Sequence, residues 1–247
     1  MATPRVALLP GNGWADVRAE PARAALAAAG DPFALEVCSY PAAATFEELL
    51  TALDARLGAC DPAVVHATGI GGLVALALRA RGHLRGRRLV LQGAVLWGLE
   101  QRRFPRLMRL PGMPRLLVAM LRTAPIRRRF ARKHFLANHD AAFLERFFAG
   151  YADAGEFARW FAWLTPSLLR QLERELTLEA MANLSAWWGE LDHVVGLDEL
   201  RQTERALGVT IPVQRFPDWG HYPMLDAPAS WVKEVARDLE VPAAGAG

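Results

Sequence analysis

The segment Val64-Val65-His66-Ala67-Thr68-Gly69-Ile70-Gly71-Gly72-Leu73-Val74-Ala75-Leu76 constrains the chain more than any other. It reads as a buried strand, a tight glycine turn and an apolar helix. That is the shape of a nucleophile elbow, which aims a side chain out of a sharp strand-to-helix turn. Ala67 and Gly71 occupy the two flanking positions that must be small. Between them stands Gly69, which has no side chain to aim. The segment predicts a fold and a pocket, and leaves the reaction without its usual nucleophile.

Strand and helix signals alternate on either side of this turn, which predicts an α/β fold: a mostly parallel sheet with helices on both faces. Strands are expected at 5–9, 33–38, 62–67, 88–96, 183–188 and 211–216. Helices are expected at 14–29, 45–58, 71–80, 197–207 and 227–239, the second capped by Thr45 with Glu48 three residues on. From Leu99 to Met181 the rhythm changes to Arg, Phe and Leu at helical spacing, punctuated by prolines. This predicts a helical cap at 99–181 inserted in a core of 1–98 and 182–240, with 241–247 as a flexible tail.

The chain's 247 residues, 52% of them hydrophobic, suffice for one large domain and exclude a disordered class. No apolar run approaches the roughly 20 residues of a membrane span. The N-terminus enters an apolar strand without a signal-peptide pattern, and Cys38 and Cys60 are the only cysteines. A cytoplasmic protein without disulfides is the expectation. The net charge of +3 does not indicate nucleic acid.

Three groups of residues fall after strand ends, where open parallel sheets place their sites. The first is Pro10-Gly11-Asn12-Gly13-Trp14, whose small residues let an N–H face a developing oxyanion. The second is Gly69-Ile70, with the Ile70 N–H as partner donor. The third is Trp188-Gly189-Glu190-Leu191-Asp192 followed by Phe216-Pro217-Asp218-Trp219-Gly220-His221, a carboxylate and then an imidazole. Trp14, Trp97 and Trp219 flank these groups and suggest an aromatic pocket around Gly11.

The order of elbow, Gly-x-x-Asp after a strand, and Gly-His before a proline-started helix resembles the α/β-hydrolase superfamily over nearly the whole chain. The resemblance implies that Asp192 is the catalytic acid and His221 the catalytic base. It implies that Gly69 holds the nucleophile position, and that Asn12 and Ile70 supply the oxyanion hole. It would set the first strand here on the family's third, leaving two family strands without counterpart. An Asp-oriented imidazole can deprotonate water or a substrate directly. The implied function is therefore action on a small apolar or acyl substrate without a serine nucleophile. The alternative is an inactive relative that binds a ligand or protein partner.

Other readings are weaker. Thr68 as nucleophile would put bulky His66 and Ile70 at the small positions. A dinucleotide turn fails at Val74, where a third small residue belongs, and at Gln92, where an acid would end the next strand. No cofactor is implied. The histidines offer no metal pattern, since His134 and His139 are five apart; His193 reads as solvated and His66 as a satisfied core residue. Between Leu99 and Phe135 ten arginines and Lys133 face Glu100 alone. That run is either a solvated face or a contact with a membrane or an acidic carrier.

Overall fold

A computed structural model describes residues 3–11, 16–137 and 139–240. Six strands, β1 (Arg5–Leu9), β2 (Ala34–Val37), β3 (Val64–Gly69), β4 (Arg88–Ala94), β5 (Leu184–Gly189) and β6 (Val213–Phe216), form one sheet in the order β2-β1-β3-β4-β5-β6. Every ladder is parallel. Each strand lies where the alternation predicts, with ends shifted by a residue or two. The 3-10 turn Asp16–Arg18 precedes α1 (Glu20–Ala28), followed by α2 (Phe46–Cys60) and α3 (Gly71–Ala80). Beyond β4 come the 3-10 turn Trp97–Gln101, α4 (Arg103–Met108), α5 (Met113–Leu121), α6 (Ala124–His134), α7 (Ala141–Ala149), α8 (Ala154–Trp163) and α9 (Pro166–Glu175). After β5 come α10 (Asp198–Leu207), α11 (Pro223–Asp226) and α12 (Pro228–Glu240).

Residues alternate across the sheet because successive strand side chains point to opposite faces. Ala7, Leu9, Val65, Ala67, Leu89 and Leu91 pack with α2, α3, α9 and α10. Val6, Leu8, Val64, Val90 and Trp187 pack with α1, α11 and α12. A third apolar cluster joins α4 to α8 of the cap to Val17 of the first 3-10 turn and Leu225 of α11.

Caps and prolines set the helix starts. Thr45 Oγ1 accepts from Glu48 N at 3.2 Å, while Glu48 Oε2 accepts from Ala44 N at 2.9 Å, one residue before the cap. Pro114, Pro125 and Pro166 each stand in the first turn of α5, α6 and α9, where a missing N–H costs nothing. Two expected helices differ in detail. The structure starts the first at Glu20 after a 3-10 turn, and places a short extra helix, α11, before the last, which runs as α12 from Pro228. The expected flexible tail, 241–247, lies outside the described residues. No helix among the described residues is long and apolar enough to cross a membrane.

Candidate active site

The turn from β3 into α3 is built on glycine. Gly69 has φ +53°, the left-handed region that favours a residue without Cβ. The apex of the turn is therefore Gly69, and Thr68 is an ordinary strand residue paired with Gln92. Gly71 must stay small, because a Cβ there would fall 2.4 Å from the Leu9 carbonyl oxygen. Ile70 stands at the N-terminus of α3, where amide N–H groups have no partner within the helix.

His221 and Asp192 meet across the ends of β5 and β6. His221 Nδ1 lies 2.9 Å from Asp192 Oδ2, and both side chains are buried. Asp192 Oδ1 accepts from Val194 N and Val195 N, each at 2.8 Å. Burial by itself raises the Asp192 carboxyl. The facing imidazole and the two N–H donors outweigh that and hold it below its usual value. A carboxylate only accepts, so the neutral His221 carries its proton on Nδ1 and offers Nε2 as a base.

Further residues hold this pair: Trp188 and Gly189 of the predicted third group, and Gly93, Arg102 and Glu199, which sequence reasoning did not single out. Gly93 (φ +49°) sits at a register shift between β3 and β4, and a Cβ there would stand 2.9 Å from Asp192 Oδ2 and 3.3 Å from His221 Nδ1. A glycine inside an apolar strand was the available signal. Gly189 allows the β5 loop to reach the Trp219 carbonyl, 2.2 Å from where its Cβ would be. Trp188 Nε1 donates to Val195 O at 2.9 Å. Arg102 Nε donates to the buried Glu199 at 2.5 Å and its Nη2 to Val194 O at 3.1 Å, tying the start of the cap to the Asp192 loop.

These residues face a cavity of about 400 Å³ between sheet and cap, which Gly11, Thr68, Gly69, Ile70 and His221 line from the sheet side. The cap side is mostly aromatic and aliphatic, from Phe104, Leu117, Phe130, Tyr151, Phe157 and Phe161, and carries two cations, Arg102 and Lys133. The expected tryptophan wall is corrected here. Trp97 is buried and donates to Glu173 Oε1 at 2.6 Å; Trp219 is fully buried, stacked on Phe216, and donates to Ser230 at 3.0 Å. Neither lines the cavity, because each indole packs into a core formed by its own neighbours. Asn12 and Trp14 lie outside the described residues.

A second imidazole reaches the cavity. His134 Nδ1 donates to Phe130 O at 2.8 Å and its ring stacks on Phe130. Burial is the main cause that lowers its pKa to about 4, so it is neutral at pH 7. His193 is exposed. The expectation for His66 is also corrected. It is buried against the edges of Trp187 and Trp231, but neither ring nitrogen has a hydrogen-bond partner among the described residues. No group of three or more His, Cys, Asp or Glu among the described residues could hold a metal ion.

Residues 6–235 match the Alpha/beta hydrolase family. The chain belongs to that family. Solved structures of the same fold include an alpha/beta hydrolase fold protein from Burkholderia ambifaria, 17% identical with TM-score 0.65, covering 95% of this chain and 90% of that one. A loop variant of the haloalkane dehalogenase DbeA from Bradyrhizobium elkanii is 16% identical with TM-score 0.63, covering 96% and 89%. A structure from a study of carboxylesterases of Nitrososphaera gargenis is 12% identical with TM-score 0.60, covering 96% and 90%. At these identities the likeness is one of fold. No curated protein sequence matches the chain.

Proposed function

We propose that this α/β-hydrolase acts on a small apolar or acyl substrate, such as an ester or thioester, with Asp192 and His221 as a general-base pair and without a covalent serine step. The observation that carries the reading is the 2.9 Å contact between the two buried side chains beside a side-chain-free elbow. His221 Nε2 takes a proton from water or from a substrate O–H or C–H. Asp192 steadies the imidazolium that forms. The Ile70 N–H stabilises negative charge on a substrate oxygen, with Asn12 as its partner in the resemblance. The largely apolar cap wall fits the apolar part of such a substrate, with Arg102 and Lys133 as the charged groups that line it. Two free thiols suit a reducing, cytoplasmic setting.

The missing side chain at Gly69 also favours a second reading, in which the cavity binds a ligand or partner without turnover. One experiment separates them. Purified protein and His221→Ala are incubated with a panel of short-chain esters, acyl thioesters and enolisable ketones, and products are read by mass spectrometry. Loss of a positioned base lowers the rate by about 10²–10⁴-fold. Product formed equally by both proteins, while circular dichroism shows both folded, overturns the general-base reading. Ligand binding without product from either protein selects the second.

A further inference from the structure

The cap carries a surface that the cavity chemistry does not use. Leu110 is 53% exposed and Leu116 51%, and Phe104, Leu107 and Met120 are also exposed. On α5 the exposed stripe is Arg115, Leu116, Ala119 and Met120; on α4 it is Arg103, Phe104, Arg106 and Leu107. The opposite sides, Pro105 and Met108 on α4 and Val118 and Leu121 on α5, are buried. Both helices pack on α8, Phe104 with its ring set edge-on to Phe157 and Phe161, while the other residues of the two stripes stay exposed. Between Gln101 and His139 the chain has no Asp or Glu. Arg103, Arg115, Arg122, Arg128 and Arg129 are exposed, and none forms an ion pair among the described residues.

We propose that the outer face of α4 and α5 docks the protein on an anionic lipid surface. Apolar side chains interleaved with cations suit the boundary between acyl chains and anionic headgroups. The charge decides the occupant: a second copy of the chain would set arginine against arginine, whereas an anionic leaflet attracts every one of them. The same helices roof the cavity, with Leu117 and Leu121 facing inward and Phe104 both exposed and lining it. The docked face thus lies directly above the apolar site. For its purpose this rests on the proposed apolar substrate; the docking itself does not.

The test is flotation with vesicles of phosphatidylcholine alone and of phosphatidylcholine mixed with phosphatidylglycerol. The protein is expected to float with the mixed vesicles at low salt, not with the neutral ones, and to be released near ~1 M salt, where screening acts within about 3 Å. Arg115→Ala should weaken partitioning about fivefold, and with Arg122→Ala by about that factor again. Leu110→Asp with Leu116→Asp should abolish it while the thermal melt stays unchanged. No binding of the unmodified protein to mixed vesicles overturns the proposal. So does undiminished binding by the folded aspartate variant, or binding to a soluble acidic protein in place of vesicles. Vesicle binding without His221-dependent turnover keeps this proposal and removes the preceding one; turnover without vesicle binding does the reverse.

Discussion

Gly93→Ala tests whether the acid–base pair is held by backbone geometry. The added Cβ meets Asp192 Oδ2 at 2.9 Å and His221 Nδ1 at 3.3 Å. Neither atom retreats easily, since they are bonded to each other and Asp192 Oδ1 is held by Val194 N and Val195 N. The left-handed φ of +49° adds strain that any residue with a Cβ would feel. That strain is isolated by Gly208→Ala at the end of α10, where φ is +65° and nothing lies within 4 Å of the new Cβ. Gly208→Ala should therefore cost about 1 kcal/mol. Gly93→Ala should cost about 3 kcal/mol, because a buried hydrogen bond to a charged group is lost as well. For a chain of this size that corresponds to Tm falling by about 3 °C and about 9 °C respectively. Scanning calorimetry reads the stability, and the downfield Nδ1 proton of His221 in the NMR spectrum reads the pair. Equal Tm losses in the two variants, with the His221 proton signal intact in Gly93→Ala, would refute the reasoning.

Two further outcomes follow from the same geometry. The native chain should not react with a fluorophosphonate probe, whereas Gly69→Ser, with its new Cβ 3.3 Å from Gly11 Cα, should gain an adduct at position 69 by intact mass and peptide mapping; an adduct on Thr68 of the native chain would move the nucleophile there. Burial lowers His66 to about 3 from 6.5, so the unfolded chain takes up a proton that the fold refuses, and stability falls as pH drops through that window. At pH 5 the loss is about 2 kcal/mol, and urea denaturation should show it shrinking by that amount in His66→Leu; an unchanged pH dependence would contradict it.

Much of the fold could be read locally. Short apolar runs in the strands, which a parallel sheet covered on both faces buries almost continuously, act within a few residues, as do the glycines of the elbow and the prolines at helix starts, so the chain's own pattern determined all six strands and the helical character of the cap. The Asp192 and His221 positions were legible for the same reason: each follows a strand end, and parallel strands bring such ends together. What lines the cavity was decided only by tertiary structure. Trp97 and Trp219 are as apolar in sequence as Phe130 and Phe157, and nothing local says which rings face the cavity. That depends on how α4 to α8 pack over the sheet. Gly93 looks like one glycine among 20 until the strand register sets it against Asp192 and His221, far along the chain. His134 belongs to the site because α6 closes over the cavity while Phe130 fixes its tautomer. Periodicity records which face of an element is apolar; only packing decides what that face meets.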